Sequence, residues 1–210
     1  KELEKDKELL SALEHAKKNN SKLHILGLLS DGGVHSHINH IFELIRIAKK
    51  NKIEKLYIHA FLDGRDVAYN SAEKYLDMLE NYLKKEKIGE LATISGRFYA
   101  MDREKMWDKT KLCYDALING VGPKNSNYHE VLKESYANEV YDEFVKPTII
   151  DEEGQITDND SIIIANFRPD RIPQLAEAMV NNDFNHFKCK NLKNTELLTM
   201  MPVSDTLNTT

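Results

Sequence analysis

Arg65, Arg97, Arg103, Arg168 and Arg171 all follow apolar runs that break into glycine, aspartate or asparagine. The breaks read DGGVHSH (31–37), DGRD (63–66), SGR (95–97) and NFRPDR (166–171). A guanidinium is a planar, permanently charged fork suited to gripping carboxylate or phosphate with two parallel bonds. Several such forks at one place imply a ligand with more than one anionic group. Taken singly, each arginine is most simply a surface residue, and Arg168 and Arg171 could pair with Asp170 or Glu177. As a set of five, convergence on a ligand is the stronger reading. Asp66 can orient an arginine, accept a substrate hydroxyl or cap its own turn.

The histidines pose a different chemistry. His35, His37 and His40 fall within six residues, but their spacing does not share one helix face, and no HExxH or cysteine pair accompanies them. An anion-facing His35, with His37 and His40 structural, is expected instead, and no metal ligands are assigned. Ser30 and Ser95 lack the GxSxG elbow of an activated nucleophile. His24 and His59 lie inside apolar runs and are expected in the core. Cys113 and Cys189 have no metal-ligand spacing, which fits a reduced, cytoplasmic protein with Cys113 inside a helix core.

These residues must be positioned by alternating strands and helices. Buried strands are expected at 23–29, 55–62, 91–95 and 161–165, with a possible edge strand around Leu197, Leu198, Met200, Met201 and Val203. Helical spacing marks 2–20, 38–50, 71–84 (capped by Asn70 or Ser71), 106–118, 128–135 and a stretch from Pro169. Two short apolar pieces around Glu152, Glu153 and Gly154 predict a small hairpin at 146–156. The fold class is α/β, a mostly parallel central sheet flanked by helices on both faces. Parallel strands put their C-terminal ends on one edge, where helix N-termini add N–H donors for anions.

Composition narrows the classes further. The chain has 210 residues, 41% hydrophobic and 30% charged, with a formal net charge of −5, which argues against a generic nucleic-acid binder. No apolar run approaches the roughly 20 residues of a membrane span. The chain opens without Met on a charged, helix-like segment rather than a signal peptide, so a piece of a longer protein is expected.

Four runs in order, LLSDGGVHSH (28–37), FLDGRD (61–66), SGRFYAMDR (95–103) and NFRPDR (166–171), resemble the cofactor-independent (2,3-bisphosphoglycerate-independent) phosphoglycerate mutases over nearly the whole chain. The resemblance implies one substrate-binding (phosphotransferase) domain over 1–210. It also implies an absent phosphatase-like domain of the same polypeptide, carrying a serine nucleophile and two divalent ions, usually Mn2+ in the family. By motif position, His35, Arg65, Asp66, Arg97, Arg103, Arg168 and Arg171 resemble substrate contacts for 2- and 3-phosphoglycerate. Asp66 is a possible proton acceptor. Ala68, Tyr69 and Asn70 after DGRD, and Ile172 and Pro173 after NFRPDR, depart from the family's usual loops. The implied activity is glycolytic interconversion of the two phosphoglycerates, with the isolated piece inactive. Two rival readings stay open, a freestanding phosphate-ligand binding module and a metal hydrolase built on the three histidines.

Overall fold

The apolar runs are buried on both faces, as strands inside a parallel sheet must be. The computed structural model describes residues 2–201. In it β1 spans Leu23–Leu28, β2 Leu56–Leu62, β3 Glu90–Gly96, β4 Thr148–Ile149, β5 Ser161–Ile164 and β6 Glu196–Thr199. The strand order is β4-β3-β2-β1-β5-β6, parallel throughout except where β3 meets β4. The expected edge strand is present as β6 through Leu197 and Leu198, whereas Met200 and Met201 lie beyond its end and Val203 lies outside the described residues.

The helices are α1 (Lys7–Lys18), α2 (Ile38–Lys50), α3 (Ala72–Glu86), α4 (Arg97–Ala100), α5 (Trp107–Tyr114), α6 (Tyr128–Ala137) and α7 (Pro173–Val180). Successive residues of a strand face opposite ways. Ile25 of β1 thus joins Leu13, Ile41, Leu76 and Leu132 of α1, α2, α3 and α6. Leu26 and Leu28 join Cys113, Tyr114, Leu175 and Met179 of α5 and α7 on the other face. Helices cover both faces, and each fully buried Leu or Ile contributes about 1.5–3 kcal/mol.

Three local expectations are corrected. No hairpin forms at 146–156: Thr148 and Ile149 pair antiparallel with β3, whereas the Ile156 N–H bonds Leu117 O at 2.9 Å. Each apolar piece finds a stronger partner elsewhere than in the other. The N-terminus of α3 is capped neither by Asn70 nor by the Ser71 side chain. The fully buried Asp142 accepts the N–H groups of Ser71 and Ala72, both at 2.8 Å. The helix expected to run to Ile118 leaves α geometry after Tyr114 and finishes as a wider π turn, Asp115–Asn119. Asp115 braces that turn by accepting from Lys111 at 2.5 Å and Asn119 at 2.8 Å.

His24 and His59 are fully buried, as expected, and join a polar row across the sheet. Asp160 Oδ2 accepts from His24 Nε2 at 2.8 Å, so His24 Nδ1 is left to accept from His59 Nε2 at 2.9 Å. His59 Nδ1 then takes the Thr93 hydroxyl at 3.0 Å. Burial lowers the pKa of both imidazoles, that of His59 strongly, so the row is neutral apart from Asp160.

Candidate active site

The C-terminal ends of β1, β2, β3 and β5 share one sheet edge, and the loops leaving them carry every expected site residue. The loop after β1 lies directly on that after β2. A Cβ on Gly32 would meet Asp66 Cβ at 3.0 Å and Asp63 Oδ2 at 3.4 Å. The turn after β3 is equally tight. A Cβ on Gly96 would reach Val145 N at 2.8 Å and run into the Glu143 carbonyl. These glycines are fixed by packing, which lets three strand ends meet.

What they meet at is Asp63, a residue that sequence reading passed over. Its side chain is 2% exposed. Oδ2 accepts from Ser30 Oγ at 2.6 Å; Oδ1 accepts from Arg97 Nη1 at 2.8 Å and from the N–H groups of Asp66 at 3.0 Å and Arg65 at 3.2 Å. Burial pushes the Asp63 pKa up, but the bonds from Ser30, Asp66 N–H and Arg97 outweigh it and hold the carboxyl below its ordinary range. The only signal in the sequence is its place as the first polar residue after a buried strand.

Arg97 is 3% exposed and donates through the same Nη1 to Asp66 Oδ2 at 2.7 Å. Of the three roles open to Asp66, the structure displays the orientation of an arginine. A second group forms around Asp170. Arg103 Nη1 lies 3.0 Å from Oδ2, Arg168 Nε 3.1 Å from Oδ1, and His35 Nδ1 3.7 Å from Oδ1. Arg65 is half-exposed, with a long 3.8 Å ion pair to Glu143.

Among the described residues His35, Ser36 and Asp170 each have a buried side-chain atom without a hydrogen-bond partner, and Arg171 lacks an ion pair. His35 is buried, and among the described residues its Nδ1 has no hydrogen-bond partner. Burial and then the charge of Arg97 lower its pKa, with Asp170 opposing, so the imidazole is inclined to neutrality. Arg171 is partly buried and reaches Met101 O at 3.5 Å. It forms no ion pair among the described residues. Burial and the charges of Arg103, Arg97 and Arg65 lower its pKa. A guanidinium stays charged at any physiological pH; Arg97, Arg103 and Arg65 are already paired with Asp63 and Asp66, Asp170 and Glu143, and Asp170 opposes their effect on Arg171.

Among the described residues, no group of three ligand atoms close enough to share an ion includes His35, His37 or His40. His37 instead caps α2, accepting from Asn39 N at 3.1 Å, and His40 packs edge-on against Phe167. The one such group comprises Glu73, Asp77 and His129 on α3 and α6. There the imidazole sits 2.8 Å and 3.3 Å from the two carboxylates as an exposed clasp. A groove of about 860 Å³, walled by Met179, Phe184, Phe187, Cys189 and Leu197, opens by the end of α7 and the start of β6, away from the arginines. No helix among the described residues is long and apolar enough to cross a membrane.

Fold and site together define an α/β domain whose strand ends bring five arginines and His35 to one sheet edge. The family described as BPG-independent PGAM N-terminus matches residues 1–205, and the chain belongs to that family. The 2,3-bisphosphoglycerate-independent phosphoglycerate mutase of Clostridium tetani (strain Massachusetts / E88) is 48% identical over 190 residues, 89% of this chain and 37% of that protein. A crystal structure of Leishmania mexicana phosphoglycerate mutase at low cobalt concentration superposes with a TM-score of 0.89 at 29% identity. It covers 95% of this chain and 39% of that one. The chain thus spans less than half the length of either relative.

Proposed function

We propose that this chain is the substrate-gripping domain of a phosphoglycerate mutase that interconverts 3-phosphoglycerate and 2-phosphoglycerate without a bisphosphoglycerate cofactor. The observation that carries the proposal is the gathering of Arg65, Arg97, Arg103, Arg168 and Arg171 at one sheet edge with His35, whose buried Nδ1 has no hydrogen-bond partner among the described residues. A ligand bearing a carboxylate and a phosphate would supply the missing counter-charge. The mutases named above act in proteins more than twice as long, so the serine that takes the phosphoryl group is assigned to a second domain of the same polypeptide. So are two divalent ions, Mn2+ in this reading. Among the described residues no group of three close ligand atoms lies at the cationic edge; bound in that second domain, the ions would supply charge stabilisation to the transferring group.

What this chain's residues do is hold and turn the glycerate. Arg65, Arg103, Arg168 and Arg171 present guanidiniums to carboxylate and phosphate, and Arg97 braces Asp66. Asp66 can accept the proton of the attacking glycerate hydroxyl. An intermediate that must reorient without escaping needs a closed, dry cage, because phosphoryl transfer depends chiefly on positioning and charge. Closure of the second domain over this edge would exclude water. A cytoplasmic site of action, in keeping with two free thiols, belongs to the same proposal.

The purified chain, titrated with 3-phosphoglycerate in the presence of Mn2+, should bind it weakly and produce no 2-phosphoglycerate. Binding should survive a chelator. Measurable turnover by the chain alone would refute the division of labour between two domains. The absence of any binding would count against the phosphoglycerate reading.

A further inference from the structure

We propose that Asp63 is the positioning residue of this edge, the one carboxylate that locks the ends of β1, β2 and β3 into the geometry that receives the ligand. The inference rests on the phosphoglycerate reading and deepens it, since Asp63 itself is too buried to touch a ligand. Four donors from three chain segments end on its two oxygens. The Ser30 hydroxyl comes from the loop after β1, the N–H groups of Arg65 and Asp66 from the turn after β2, and the guanidinium of Arg97 from the end of β3. An ionised carboxylate accepts about four such bonds, so Asp63 is saturated by groups of the site alone. Charge-assisted bonds of this kind are shorter and stronger than neutral ones.

The consequence for the ligand runs through Arg97 and Arg65. The Nη1 of Arg97 is shared between Asp63 and Asp66, which fixes the plane of the guanidinium and leaves its remaining N–H donors to point elsewhere. The two N–H bonds at 3.0 Å and 3.2 Å set the backbone of Asp66 and Arg65, hence the direction in which those side chains leave the turn. Ser30 ties the same carboxylate to the loop bearing His35. Gly32 has room only for a hydrogen against Asp66 and Asp63, so the loop cannot lift without losing this contact. Asp63 acts through other residues and never on the reacting atoms.

The test is a double-mutant cycle on the chain, with 3-phosphoglycerate affinity read by chemical-shift titration and melting temperature read in parallel. Asp63→Asn keeps the size but removes the charge and one acceptor; it should weaken binding at least tenfold. Arg97→Lys should weaken it to a similar extent. The double variant should be no more than twofold worse than the poorer single one, because both changes break the same device. Losses that multiply, or Asp63→Asn binding within twofold of wild type, would overturn the proposal. Should Asp63→Asn fail to fold, Ser30→Ala removes one donor and keeps the charge. It should weaken binding about threefold without lowering the melting temperature by more than a few degrees, and unchanged affinity there would overturn the proposal as well. Should wild type itself not bind, the phosphoglycerate reading is what fails. Asp63 is then judged by the Arg97 side-chain Nη resonances, slow to rotate in wild type and averaged in Asp63→Asn or, if that variant does not fold, in Ser30→Ala. Identical behaviour in wild type and variant would refute it.

Discussion

Arg65 and Arg97 follow adjacent strands, β2 and β3, and should answer the same substitution in opposite ways. Arg65→Ala removes an exposed side chain whose one ion pair, to Glu143, is 3.8 Å long. Exposed pairs of that kind contribute about 0–1 kcal/mol, so the melting temperature should fall by no more than about 2–4 °C for a chain of this size. In the proposed binding mode its contact with the anion would be a charge-assisted bond of about 1.5–3 kcal/mol. Losing it should weaken 3-phosphoglycerate binding roughly 10- to 150-fold. Arg97→Ala instead strips the shared cation from two carboxylates, one of them buried. Leaving buried charge unpaired costs about 3–5 kcal/mol, or a fall of about 6–20 °C. Thermal melts and a 3-phosphoglycerate titration of the two variants decide the matter. Equal destabilisation by both substitutions, or full affinity in Arg65→Ala, would refute the assignment of Arg65 to the ligand and Arg97 to the frame.

Three further outcomes are expected. The folded state lowers the proton affinity of His24 and His59, so the unfolded chain binds protons first as pH falls below about 6.5. Their contribution to stability is complete above that pH and is lost on acidification by up to about 1.4 kcal/mol per histidine per pH unit, until they too protonate in the fold. Melting temperatures that stay flat from pH 7 to pH 5 would contradict this. Gly96→Ala drives a methyl group into the 143–145 backbone, and such overpacking should cost about 1–3 kcal/mol or more in a denaturant melt; a neutral result would mean that the loop is free to move. Asp170 occupies Arg103 and Arg168, two half-exposed pairs of about 0–1 kcal/mol each. Asp170→Asn should free them and tighten 3-phosphoglycerate binding up to about fivefold per kcal/mol recovered; weaker binding would show that Asp170 orients the arginines instead of competing for them.

The parts legible in the sequence are those fixed by local pattern. Helix α2 runs over 38–50 as its 3.6-residue spacing demands, and β1, β2 and β5 are apolar runs bounded by polar turns, with His24 and His59 set inside the first two. Once those strands are parallel, their loops must share an edge, so the convergence of the arginines follows from topology. The illegible parts depend on contacts between distant segments. Asp142 caps α3 from 70 residues away, and nothing near Ser71 announces it. Within DGRD only its place directly after the strand separates Asp63 from Asp66, yet one is buried with four donors and the other half-buried with one arginine. The apolar pieces at 146–156 read as a hairpin because the competing partners, β3 and the turn at 115–119, are invisible at short range.

The central claim is that the strand-end loops form one anion-binding edge for phosphoglycerate. A backbone and arginine side-chain NMR titration of the chain with 3-phosphoglycerate tests it most directly. The expected result is saturable shifts confined to the loops bearing His35, Arg65, Asp66, Arg97, Arg103, Arg168 and Arg171. No shifts at saturating ligand, or shifts centred on the groove between α7 and β6, would contradict it.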